Sequence, residues 1–167
     1  MAASDLVPSS ETAKGILVVD HHPLVRRGLN ALIESEPGLA VVAEASSCRA
    51  ALEAIDRVRP DLVVVDLALG TEDGLDLFKK LKLRGIEAPV LGLSMYDESL
   101  YAERCLKAGA MGYITKGRLD EALLEALRSL LRGETYLSEE LQRQLVGKYV
   151  AGRKIDSETG PGALSDR

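Results

Sequence analysis

At 167 residues and 18.0 kDa, the chain is long enough for one domain with a sizeable buried core. Aromatics at 4%, with no Trp, exclude a stacking platform for single-stranded nucleic acid. A net charge of −5 excludes the chain-wide basic surface that a duplex-DNA binder needs.

No run approaches 18 consecutive apolar residues, so no membrane helix is expected. Residues 1–14 contain no apolar signal-peptide core and read as a polar, disordered leader. Cys48 and Cys105 fit neither a metal spacing nor a disulfide framework. They read as reduced helix residues of a cytoplasmic protein.

From Ile16 onwards, apolar runs alternate with helical patterns. Ile16–Asp20 is an apolar run ending on a carboxylate, as expected of a strand buried on both faces. Pro23 suits a first helical position, and Leu24/Val25, Gly28/Leu29 and Leu32/Ile33 mark one helical face up to Pro37-Gly38. Leu39–Ala43 reads as a second strand. Ser46/Ser47 cap a helix carrying Ala51, Leu52, Ile55 and Val58, which Pro60 breaks. Leu62–Asp66 is a third strand, again ending on Asp. A helix over Asp73–Leu83 stops at Gly85. Val90–Ser94 is a fourth strand, followed by a helix over Asp97–Ala108. Met111–Ile114 is a fifth strand, and Leu119–Leu131 a helix stopped by Gly133. A last helix is expected over Ser138–Val150.

Strict strand–helix alternation implies a parallel sheet covered on both faces. The expected class is α/β, a flavodoxin-like three-layer sandwich with strand order 2-1-3-4-5 plus a C-terminal extra helix. Such sheets bind ligands beyond the carboxyl ends of their strands. Asp20, Asp66, Ser94 and Lys116 all fall there. Two carboxylates, a hydroxyl and an ammonium suit phosphoryl chemistry with a hard divalent cation. No Walker loop, G-x-S-x-G or H-E-x-x-H occurs.

Several motifs then carry a resemblance: VVDHHP (18–23), LVVVDLAL (62–69), Gly74, LSMYDE (93–98), KAGAMGYITK (107–116) and GETYLSEEL (133–141). In this order they resemble the receiver (CheY-like) domain of bacterial two-component response regulators, in the branch with a LuxR/NarL/FixJ-type helix-turn-helix output. The resemblance covers roughly residues 15–138. It implies that Asp66 is the phosphoacceptor, with Mg²⁺ held by Asp20, Asp66 and the backbone carbonyl of Ala68. It further implies that Lys116 and Ser94 bind the phosphoryl group and that Ser94 and Tyr113 act as switch residues. The implied partners are a sensor histidine kinase, a second copy on activation, and DNA only through an output domain. The domains implied are a receiver over 15–135, an additional helix over 136–151, and a linker over 152–167 leading to a helix-turn-helix domain. The chain is expected not to be an enzyme.

Two positions depart from that pattern. His21 stands where the family has a second acid, normally the direct metal ligand, so weakened Mg²⁺ binding is expected. Gly70 stands where proline is common. The rival expectation is a phosphorylation-independent interaction or dimerisation module. His22 is read as packing or capping before Pro23, and Arg26 as a solvated helical charge.

Overall fold

Five apolar runs form one parallel sheet in the computed structural model, which describes residues 13–95 and 98–158. The strands are β1 (Lys14–Val19), β2 (Leu39–Ala45), β3 (Leu62–Asp66), β6 (Val90–Ser94) and β7 (Gly112–Thr115). Between β3 and β6 lies a short antiparallel hairpin, β4 (Ala68–Leu69) and β5 (Glu72–Asp73). The sheet order is β2-β1-β3-β6-β7. With the hairpin set aside, this is the expected 2-1-3-4-5 order. The hairpin itself was not expected: the acidic stretch at 70–74 reads as loop. Gly70, at φ +62°, supplies the left-handed residue that the turn requires.

Alternation along each strand sorts the apolar side chains to two faces. Ile16, Val18, Leu62, Val64, Leu91, Leu93 and Ile114 join one core cluster with Leu29 and Ile33 of α1 (Pro23–Glu34) and Leu123, Leu127 and Leu130 of α5 (Leu119–Leu131). The other face carries α2 (Cys48–Val58), α3 (Gly74–Leu83) and α4 (Glu98–Lys107). There Gly92 leaves room for the Cys105 sulfur, where any Cβ would collide. Both cysteines are free helix residues, as expected, and both are buried.

Local chemistry fixes the helix starts. The Ser47 side chain accepts from Ala50 N at 3.1 Å, and Asp73 accepts from Leu75 N at 2.9 Å. Each satisfies a donor that the first helical turn leaves open. Asp97, the expected start of α4, lies outside the described residues.

Residues through Tyr136 form one compact unit and those from Leu137 a second. The first ends with Tyr136 bridging Gly112 beside β7. In the second, Ser138 Oγ accepts from Leu141 N at 3.1 Å and starts α6 (Glu139–Glu158). This helix runs eight residues past its expected end at Val150, through the start of the segment read as linker from residue 152. Gly152 costs a helix only about 1 kcal/mol, and no proline follows until Pro161. The expected leader, and the close of the linker at Leu164–Arg167, lie outside the described residues. No helix among the described residues is long and apolar enough to cross a membrane.

Candidate functional site

Strand register delivers the site. Val19 pairs with Val65, Asp66 with Leu93, and Ser94 with Thr115. Asp20, Asp66, Ser94 and Lys116 therefore end or follow neighbouring strands on one edge of the sheet. Asp20 and Asp66 are almost wholly buried, at 0% and 1% exposure. Two buried carboxylates repel each other unless a cation lies between them. Lys116 Nζ supplies it, 2.9 Å from Asp66 Oδ2 and 3.0 Å from Asp20 Oδ2. Burial alone would pull the lysine pKa down. Hydrogen bonding and charge from Asp66 and Asp20 outweigh that and hold it above its ordinary value. The ammonium is therefore charged at any physiological pH.

Asp66 is further held from its own strand's continuation. Its Oδ1 accepts from Ala68 N at 3.1 Å. Gly74 lets α3 start against this turn: a Cβ there would lie 2.5 Å from the Asp66 carbonyl oxygen and 2.8 Å from Leu67 Cα. No side chain fits.

The end of β1 is built differently. His22 precedes Pro23, which disfavours helical backbone, and it is extended at φ −93°, ψ 117°. Its N–H donates to Asp20 Oδ1 at 2.8 Å, and its Nδ1 lies 3.3 Å from the same oxygen. It occupies the N-cap position of α1, yet its side chain makes no capping bond. The ring faces the carboxylate instead, which replaces the expectation of a capping or packing histidine. Arg26, one turn into α1, donates to the Asp20 carbonyl at 2.6 Å and pairs with Glu44 at 3.4 Å. It is not a solvated helical charge.

His21 is exposed, and its ring does not enter the pocket. It lies over the β4–β5 turn, where a Cβ on Gly70 would meet ring atoms at 3.3 Å. The two departures from the receiver pattern thus touch each other. Asp20, His22 and Asp66 can each offer one metal-ligand atom, all within 4.8 Å of one another. The imidazole within reach of the carboxylates belongs to His22, not to His21. The signal that could have found it is the Asp-x-His-Pro spacing, because the pre-proline residue turns back toward the aspartate.

Ser94 is buried at the end of β6, and Tyr113 is buried within β7, three residues before Lys116. At 1% exposure, Tyr113 is enclosed although β7 is the last strand of the sheet. Glycine at Gly112 allows Tyr136 to pair alongside, and Tyr113 N donates to the Tyr136 carbonyl at 3.1 Å.

Residues 16–128 match the response regulator receiver domain family. The chain belongs to that family. The chain is 35% identical over 141 residues to the nitrate/nitrite response regulator protein NarP of Escherichia coli, covering 84% of this chain and 66% of NarP. It is 34% identical to the oxygen regulatory protein NreC of Staphylococcus haemolyticus, covering 84% of this chain and 65% of that one. Among solved structures, a two-component response regulator of the LuxR family from Aurantimonas sp. superposes with a TM-score of 0.77 at 33% identity, covering 83% of this chain and 99% of that one. This receiver chain therefore spans a little under two thirds of the length of these curated relatives, and its fold and LuxR/NarL-type branch are those expected.

Proposed function

We propose that Asp66 accepts a phosphoryl group from the phosphohistidine of a sensor histidine kinase. A carboxylate oxygen of Asp66 attacks phosphorus, the phosphorus–nitrogen bond breaks, and its electron pair returns to the kinase imidazole. The observation that carries this reading is the Asp20–Lys116–Asp66 cluster, in which one buried ammonium serves two buried carboxylates. When the phosphoryl group arrives, Lys116 pairs with its oxygens, and Ser94 contributes its hydroxyl from the end of the neighbouring strand. The charge change at Asp66 then biases Ser94 and the buried Tyr113, which links β7 to Tyr136.

Receiver domains work with Mg²⁺, which neutralises charge on a transferring phosphoryl group. Asp20, Asp66 and the Ala68 carbonyl would hold it here. The carboxylates fit a hard cation, but the usual second acid is absent and His21 points elsewhere, so weak binding is expected. Downstream, the reading is a cytoplasmic transcription regulator that forms a homodimer when phosphorylated and contacts DNA through a helix-turn-helix domain. The receiver is not an enzyme in the ordinary sense: it turns over no separate substrate.

The test is phosphoryl uptake from acetyl phosphate with Mg²⁺, read by intact mass. One phosphoryl group is expected on the parent chain and none on Asp66→Asn. No gain on the parent, with dimerisation intact, would favour the phosphorylation-independent module instead.

A further inference from the structure

Two donors fix the Asp66 carboxylate, one on each oxygen. Lys116 Nζ lies 2.9 Å from Oδ2, and the Ala68 N–H donates to Oδ1 at 3.1 Å. The second donor is backbone, so its place depends on β4. That strand has two residues and pairs with the two of β5, Ala68 with Asp73 and Leu69 with Glu72. A two-stranded ribbon of this length does not hold itself in water, so it needs an anchor outside itself. At the tip, Gly70 lies under the ring of His21, an exposed side chain that can turn away. Asp73 is committed to α3, where it accepts from Leu75 N.

Glu72 reaches the other way. Its Oε2 accepts from the N–H of Cys48, the first residue of α2, at 2.8 Å. That amide is one of those a helix start leaves open. An ionised acceptor beside a helix N-terminus makes the stronger kind of bond. Ser47 satisfies a different amide of the same turn, that of Ala50. The start of α2 thus has one cap of its own and one supplied by the hairpin, 24 residues along the chain.

We propose that Glu72 is a positioning residue for Asp66: by tying β5 to the first amide of α2, it keeps the Ala68 N–H on the Asp66 carboxylate. The inference rests on the reading of Asp66 as phosphoacceptor and adds the contact that sets its rate. Glu72 touches no reacting atom itself. A carboxylate whose Oδ1 loses its donor samples orientations from which attack on phosphorus fails, so acceptance slows without being lost.

The full chain and its Glu72→Ala, Glu72→Gln and Ser47→Ala variants are compared by amide hydrogen exchange and by the rate of phosphoryl uptake from acetyl phosphate with Mg²⁺. In Glu72→Ala, exchange at Ala68 is expected to quicken and uptake to slow, each about tenfold, the weight of one charged hydrogen bond. The final gain should still be one phosphoryl group. Glutamine keeps an acceptor oxygen, so Glu72→Gln is expected within about twofold of the parent in both. Ser47→Ala weakens the start of α2 and leaves the hairpin alone, so both readouts are expected to stay parental. Circular dichroism verifies that each variant folds. Exchange that quickens at Cys48 but not at Ala68 in Glu72→Ala would make Glu72 a helix cap alone and overturn the proposal. So would uptake slowed as much by Ser47→Ala as by Glu72→Ala. A parent chain that takes up no phosphoryl group would sink the phosphoacceptor reading, and exchange at Ala68 would still decide whether Glu72 holds the Asp66 carboxylate.

Discussion

Around Asp66, the side of the pocket formed by β3, β6 and β7 keeps the residues of the receiver pattern, whereas the side formed by the end of β1 replaces them. On the first side Asp66, Ser94 and Lys116 stand at strand ends, and Gly74 admits α3 against the Asp66 backbone. On the second, one aspartate remains, held by His22 and Arg26, with His21 turned away. The first side keeps the carboxylate, hydroxyl and ammonium that the proposed phosphoryl acceptance uses, and the second offers one carboxylate with an imidazole beside it. On the proposed reading, changes at the end of β1 should alter cation binding more than phosphoryl acceptance, although Asp66 serves both.

The largest expected effect strikes the ion that joins both sides. Lys116→Met leaves Asp20 and Asp66 buried together without a cation, at a cost of about 4 kcal/mol in urea unfolding. Adding Asp20→Asn to that variant should restore much of the loss, because one charge is gone. An unchanged urea midpoint in Lys116→Met would mean that the ammonium does not hold the two sides together.

Next, on the Asp66 side, Gly74→Ala drives a Cβ into the carbonyl of residue 66 and the Cα of Leu67. The obstruction is backbone and cannot rotate away, so about 3 kcal/mol of stability is lost. Phosphoryl uptake from acetyl phosphate should slow with it. A variant of parental stability would place α3 further from Asp66 than described. On the β1 side, Arg26→Ala breaks a 2.6 Å charged bond to the Asp20 carbonyl and should cost about 1.5 kcal/mol. Uptake at Asp66 should survive, while cation affinity should fall with the loosened Asp20. Equal loss of uptake in Arg26→Ala and Gly74→Ala would erase the distinction between the two sides.

Much of this was legible in the sequence, for a definite reason. Unbroken apolar runs such as Leu62–Asp66 have few ways to be buried, and parallel strands place their ends together. That is why Asp20, Asp66, Ser94 and Lys116 could be assigned to one edge before any coordinates. The β4–β5 hairpin was not legible, because two residues per strand carry no period. Arg26 was misjudged because a long side chain at a helical surface position looks solvated until its reach is known. His22 was read as a cap from its place before Pro23. The place was right, but the extended backbone sends the ring to Asp20. The end of α6 was set too early, because a stretch rich in Gly, Ser and charge reads as linker even where no proline stops the helix before it.

The smallest expected effect lies behind the Asp66 side, where Cys105 fills the space left by Gly92. Burial pushes the Cys105 thiol from 9.0 up to about 12. Burial, with Glu72 adding to it, moves Cys48 to about 11. Each folded-state value is raised, so each contribution to stability is complete below pH 9 and is lost as pH climbs towards the folded value. Lys116 has the same sign, with its loss beginning above 10.5. The chain should therefore weaken between pH 9 and 12, and the thiols should act before the lysine. Cys105→Ala should flatten the first part of that fall, measured as urea midpoint against pH, and should leave the later part in place. If the early slope persists in Cys105→Ala and vanishes in Cys48→Ala, the thiol that matters is the one beside Glu72 at the start of α2. Alkaline sensitivity would then arise away from the strand that carries Ser94.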